Sequence, residues 1–239
     1  MTSRPPVSSR RLRAVGLVAL PLLVVLAYFV GIRLGGAAFK SAVLSEDGPI
    51  ELSTAALYLA SAGIIGALAW ITRGMVPLPY RTLYALLALG AVFVALEEVS
   101  YGQHLFGWSS PPWFASHNVK GEVNLHNLYG DRPTRLLRNL ALVGYGAVGI
   151  ALPGLARLRY RVYPPGHWTY YLLPRGEIVI LVALAILLRR LRKLPSSAFT
   201  GLDLGLDELM ELCLAGAALV YVLVLWRRLA RERAGTRPP

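Results

Sequence analysis

The sequence predicts an all-α fold, a polytopic transmembrane helical bundle of about six spans. Three observations carry that prediction. Hydrophobic residues make up 55% of the 239 residues and charged ones only 16%, with a mean hydropathy of +0.52, whereas a soluble domain carries about 25% charged residues. The apolar residues fall in long runs and not in the alternation of strands. Six of those runs approach the ~20 residues that cross about 30 Å of hydrocarbon. The composition also excludes a disordered chain, which is charge-rich, and a disulfide scaffold, since Cys213 is the sole cysteine.

In chain order the expected spans are Ala14–Leu34, Ile50–Ile71, Thr82–Ser100, Leu137–Ala156, Pro174–Leu188 and Asp207–Trp226. The fifth is short and the sixth opens on acids. The first follows Arg10, Arg11 and Arg13, as a signal peptide would. Its apolar run exceeds the 7–15 residues of such a segment, which predicts an uncleaved first helix, with cleavage near Gly36–Ala38 as the alternative. Residues 1–13 and 227–239 are basic, Pro-containing and expected to be disordered tails. Residues 14–226 form the expected bundle. Within it, Tyr101–Arg135 is neither a span nor a short turn. It carries Trp108, Trp113 and Phe114 around Pro111-Pro112, and Trp sits well at headgroup level. An interfacial or partly re-entrant lid and a plain extramembrane loop both fit.

Charge sets the expected topology. Lys and Arg number 25 against 13 Asp and Glu, for a net +12. With the N-terminus inside, 15 of the 25 bases fall on inner segments, although Arg189, Arg190, Arg192 and Lys193 oppose that bias. Both termini are therefore expected on the cytoplasmic side. The excess suits anionic headgroups, so lipid is the expected partner and nucleic acid is not needed. Of the 13 acids, only Glu177 and Glu232 lie on the inner side.

Four clusters hold the other acids except Asp131. Glu46-Asp47-Gly48-Pro49-Ile50-Glu51 opens the second span, where Pro suits a first helical position and acids complement the helix dipole. A structural role and a functional one for Glu51 weigh evenly. Glu97-Glu98-Val99-Ser100-Tyr101-Gly102-Gln103-His104 closes the third span. Carboxylates at a helix C-terminus oppose the dipole, and burying one unpaired costs several kcal/mol, of order 2–4 or more. Adjacent residues point about 100° apart, so the pair cannot share one cleft, and an Arg, a proton or a metal must compensate. In His117–Asn127, a helical Glu122–Asn127 would put Glu122 and His126 four residues apart on one face, a half-site for Zn, Mn or Fe. Isolated His104 and His117 read as satisfied loop histidines. Asp203, Asp207 and Glu211 form an acidic stripe at i, i+4, i+8 that repels itself and invites a cation. Glu211 is the deepest and the strongest functional candidate there. Cys213 reads as a small packing residue. Gly31–Gly35 and Gly201–Gly205 fit the G-x-x-x-G spacing. Walker A, Rossmann, HExxH and Gly-x-Ser-x-Gly patterns are absent.

Glu97-Glu98-Val99-Ser100-Tyr101-Gly102-Gln103 resembles the EEISWGQ signature of a family of uncharacterised bacterial multi-pass membrane proteins. Asn118–Asn127 resembles that family's second motif, NxQGExNLHN. Val99, Tyr101, Lys120 and Val123 depart from the patterns, and Lys120 puts a cation beside Glu122. The resemblance implies a bacterial inner-membrane protein and no particular activity. More distantly, Ser45–Glu51 and the span number are similar to alkaline ceramidases, metal-dependent membrane hydrolases. Their C-terminal HxxxH is missing here, with Asp207-Glu208 and Glu211 in its place.

Three function classes fit these residues. The leading expectation is a metal-dependent, hydrolase-like membrane enzyme acting on a lipid or lipid-linked substrate at the extracytoplasmic leaflet. Glu98, Glu122 and His126 would hold a divalent metal (Zn, Mn or Fe), with Glu97, Glu51 and Glu211 as further ligands or general base. The alternatives are an ion- or proton-coupled transporter and a non-catalytic membrane scaffold. An enzyme should keep its acids near one leaflet, whereas a transporter should carry ionisable groups through the depth of the bundle.

Overall fold

The apolar runs fold as helices because every backbone N–H and C=O must be satisfied within the chain in lipid. The structure, a computed structural model, describes residues 7–45, 48–125, 128, 131–159, 166–174, 176–192 and 205–235; for residues 7–20, 131–134 and 137 only the backbone is described. The helices are α1 (Val7–Val43), α2 (Pro49–Ile71), α3 (Leu78–Glu98), α4 (Gln103–Phe106), α5 (Pro112–His117), α6 (Asp131–Gly146), α7 (Leu152–Arg159), α8 (Trp168–Leu172), α9 (Val179–Leu191) and α10 (Leu206–Arg233). A π-helical turn, Ala147–Ala151, joins α6 to α7. Among the described residues the one β-type pairing is an isolated bridge, Asn118 to Leu128. The chain is thus an all-α, multi-pass membrane bundle.

Five helices are long and apolar enough to cross a membrane: Pro21–Val43, Pro49–Ile71, Leu78–Glu98, Arg138–Arg159 and Leu206–Arg233. They cover five of the six expected spans. Helix begins at Val7, inside the stretch expected to be a tail, and α10 runs past Trp226 to Arg233; Arg and Leu are good helix formers and nothing there breaks the ladder. Residues 1–6 and 236–239 of the expected tails lie outside the described residues.

The expected fifth span is the one that differs. Its helix, α9, has 13 residues, or about 20 Å at 1.5 Å per residue, too short to span alone. The short helix α8 precedes it, with Thr169, Tyr170, Tyr171 and Leu173 all buried. The backbone between the two is held by side chains of neighbouring helices. Tyr84 of α3 donates to the carbonyl of Tyr171 at 2.6 Å, and Tyr221 of α10 to that of Leu172 at 2.9 Å. Arg228 donates one Nη to the carbonyl of Tyr170 and the other to that of Leu173 at 2.9 Å. Irregular backbone buried in protein is tolerated under that condition.

α2 and α3 form an antiparallel hairpin through the turn Thr72–Val76, and α10 packs against both α2 and α9. One face of α3 carries Leu83, Leu86, Leu89 and Phe93, all exposed, as a lipid-facing surface should be. α1 behaves differently. Gly36 takes φ +56°, a left-handed value that suits glycine, and the helix breaks there. The ring of Phe39 folds back over Gly31 and Gly35, where a Cβ would lie 2.2 Å and 2.6 Å from its atoms. The glycines of this G-x-x-x-G pair thus accommodate a contact within α1. Gly201–Leu204 of the second pattern lie outside the described residues.

The buried side chains divide by end of the bundle. Around α8 sit Leu68, Tyr84, Tyr170, Tyr171, Leu225 and Leu229. Towards the other end sit Ile50, Leu188, Leu209, Met210 and Cys213; Cys213 is buried and free, as a packing residue. That second end holds the N-termini of α2 and α10 and the C-termini of α3 and α9. It is the acidic end.

Candidate functional site at the acidic end

Glu97 and Glu98 are adjacent on the last turn of α3, and the 100° between them sends them into different networks. Glu98 turns into the bundle, within electrostatic range of Glu211, Glu51 and Glu208 and of the guanidinium of Arg138. Glu97 turns towards the segment that follows α3.

The compensating cation beside Glu98 is an arginine. Arg138, at the start of the fourth span, donates Nε to Glu211 Oε1 at 2.8 Å and Nη1 to Asp207 Oδ2 at 2.6 Å. Such charge-assisted bonds are short and strong. Asp207 also receives Arg189 Nη1 at 3.4 Å and Arg192 Nη1 at 2.5 Å, both from the C-terminal end of α9. A helix C-terminus favours cations and an N-terminus favours anions, so α9 ending where α10 begins suits this pairing. The self-repelling stripe on α10 therefore meets its expected cation as arginines. Asp203 of that stripe lies outside the described residues, ahead of α10.

Below the charges a row of hydroxyls continues inward along one face of α2. Glu51, Thr54, Tyr58 and Ser61 follow helical spacing, and the last three are buried. Glu51 is half-buried in the first turn, with Pro49 at the first helical position as expected. Tyr58 shares a hydrogen bond with Tyr145 and lies in electrostatic range of Glu98 and Glu211. Thr54 Oγ1 is buried without a hydrogen-bond partner. Sequence reasoning missed this row. Its signal was present as four polar groups at i, i+3, i+7 and i+10 inside an apolar run.

The second network is the lid. Ser100, Tyr101 and Gly102 take φ of +45°, +55° and +79°, a strained turn for two non-glycine residues. The turn lets the end of α3 meet Glu122–Leu125. Glu97 Oε2 accepts the backbone N–H of Leu125 at 2.8 Å, and Gln103 Oε1 that of Val123 at 2.8 Å. Glu122 Oε2 accepts Ser100 Oγ at 3.1 Å and Asn124 Nδ2 at 2.6 Å. Asn118 donates to both oxygens of Asn124, at 2.9 Å and 2.8 Å. His104 Nε2 lies 3.7 Å from Glu122 Oε1. Burial and the Glu97 carboxylate push the Tyr101 phenol up to about 12. The two motifs are thus bonded to each other, and their polar residues shape a loop. His117 stacks on Trp113, with centroids 4.8 Å apart, as a satisfied loop histidine. Leu105, Phe106, Trp108 and Trp113 remain exposed.

Two expectations change here. Gly121–Leu125 is not helical: Gly121 takes φ +70°, and the Asn118–Asn124 bonds close a loop in place of a helical turn. The helix assumed for Glu122–Asn127 is therefore absent over residues 122–125, and His126 lies outside the described residues, as do Glu46 and Asp47. Glu98 and Glu122, assigned to one metal, have different partners and belong to different networks. The structure instead brings Glu98 near Glu51 and Glu211. Among the described residues, no three His, Cys, Asp or Glu side chains are grouped as a metal would require.

Comparison of the chain with protein-family models, curated proteins and solved structures finds no match.

Proposed function

We propose that the protein is a membrane-embedded, hydrolase-like enzyme acting on a lipid or lipid-linked substrate at one leaflet, with Glu98, Glu211 and Arg138 at its centre. The excess of Lys and Arg on the opposite segments makes that leaflet the extracytoplasmic one. One observation carries the reading. Glu51, Glu98, Asp207, Glu208 and Glu211 all sit at the ends of their helices, at the same end of the bundle. Only hydroxyls, on Thr54, Tyr58 and Ser61, follow them inward along α2. A transporter needs ionisable groups along the depth of the bundle; the midsections of α2, α3, α6–α7 and α10 carry no Asp, Glu, Lys, Arg or His, and that of α1 carries Arg33.

The chemistry follows from the residues. Glu98 accepts a proton from water, and the water oxygen adds to the carbonyl carbon or phosphorus of the scissile bond. Arg138, held by Glu211 and Asp207, faces the negative charge that develops on the oxygen of that centre. Glu98 then returns the proton to the leaving oxygen or nitrogen. Arg138 supplies the positive charge in this scheme, so no step runs through a metal.

The test uses purified protein in nanodiscs made from the lipid extract of the source organism's membrane, with lipid species followed by mass spectrometry. Wild type should convert at least one lipid, Glu98→Gln should not, and conversion should survive chelation. A lipid profile identical to that of protein-free discs overturns the enzyme reading. If wild type carries stoichiometric metal that Glu98→Ala and His126→Ala both lose, the metal-dependent form replaces this one.

A further inference from the structure

Asp207 is one carboxylate met by three guanidiniums. Arg138 shares itself with Glu211, so among the described residues Asp207 is the one carboxylate partner of Arg189 and Arg192. Two guanidiniums from α9 thus share one carboxylate. Arg189 is buried at 9% exposure. Its Nη1 and Nη2 make long bonds, to Asp207 at 3.4 Å and to Asn139 Oδ1 at 3.2 Å. Its Nε–H is buried and has no hydrogen-bond partner. An unmet donor on a buried charge is costly, and an arginine fork is suited to a partner with two or more acceptor oxygens. Arg192 is half-exposed at 46% of its side chain, so the pair runs from the interior to the surface at the end of a spanning bundle. Lipid phosphate groups lie where spanning helices leave the hydrocarbon.

We propose that Arg189 and Arg192, at the C-terminal end of α9 beside Asp207, form a subsite for the phosphate group of a phospholipid. Arg189 Nε–H supplies the buried donor, and Arg192 turns part of its fork from Asp207 to the same phosphate. A phosphate has the tetrahedral oxygens to take both forks, which a single carboxylate does not. Asn139 holds Arg189 in place from α6. The subsite deepens the reading of a lipid-directed enzyme by giving its substrate class. It is tested by binding and not by turnover, so the two fail separately.

The full chain is placed in nanodiscs of an uncharged galactolipid, and dioleoyl phosphatidylglycerol is titrated in. Lipid retained by the protein is read by native mass spectrometry. Wild type should retain it. Arg192→Gln, on the surface and safe for folding, should weaken retention about tenfold. Arg189→Gln should weaken it at least as much, and Arg189→Lys, which keeps charge without the fork, by an intermediate amount. Arg190→Gln, which removes an exposed charge one residue away, should leave it unchanged. Displacement of the lipid by millimolar inorganic phosphate would keep the phosphate chemistry and assign its source to the soluble ion. Equal retention by wild type and Arg192→Gln overturns the subsite. So does an equal loss in Arg190→Gln, which would mean a diffuse basic surface.

Discussion

The two ends of the bundle both bury polar side chains, and they use them differently. At the α8 end, Tyr84, Tyr221 and Arg228 direct their donors to backbone carbonyls of residues 170–173. Each bond replaces one that helix would have made, and the buried atom left unmet there, Glu232 Oε2, is an acceptor. At the acidic end the charges face one another. Five carboxylates, those of Glu51, Glu98, Asp207, Glu208 and Glu211, lie near three guanidiniums that bond Asp207 and Glu211, with Arg189 Nε and Thr54 Oγ1 buried and unmet. An end that only stabilised the fold would satisfy its buried donors as the first one does. Polar content alone does not separate structure from function in a membrane bundle. The fate of each donor does.

The largest effect should come from removing the shared cation. Arg138→Met takes the guanidinium from Glu211 while Asp207 keeps Arg189 and Arg192, a loss of about 3–5 kcal/mol, and Glu211→Gln in the same chain should recover part of it. Denaturation in mixed micelles measures both. Recovery fails if Arg138 acts by packing alone. Next comes Arg228→Met, which orphans two carbonyls at ~1–3 kcal/mol each. Here no single neutralising change should rescue, because the partners are backbone atoms, and lipid retention by the folded fraction should be unchanged. Asn124→Ala should act on the lid alone. It removes the bonds to Glu122 and Ser100, so limited proteolysis near residues 103–125 should accelerate while the melting of the bundle stays put. An equal loss of global stability would make the lid part of the core. Tyr84→Phe, one hydrogen bond at the α8 end, should cost about 1–3 kcal/mol and leave any turnover per folded molecule intact.

Much of this division could be read from the residues, and the failures have a common cause. The runs of α1, α2, α3, α6–α7 and α10 were visible because lipid demands length and hydropathy, which are local. The divergence of Glu97 and Glu98 followed from 100° per residue. The need for a cation followed from carboxylates placed at a helix C-terminus. The identity of that cation did not, since Arg138 and Asp207 are 69 residues apart and meet only in the fold. The break between α8 and α9 was hidden for the same reason: Tyr84 lies 87 residues from the carbonyl it holds. The pairing of Glu122 with His126 rested on a helical Glu122–Asn127, and residues 122–125 instead follow a loop closed by Asn118 and Asn124.

The contrast between the ends is tested most directly by Glu98→Gln set beside Tyr84→Phe, with melting temperature and lipid conversion measured on the same nanodisc preparations. Glu98→Gln removes a charge from a crowded acidic site, so it should melt at or above wild type while conversion falls by about a hundredfold or more. Tyr84→Phe should do the reverse. If Glu98→Gln instead melts lower, as Tyr84→Phe does, and conversion per folded molecule is unchanged, the acidic end is a structural network like its counterpart.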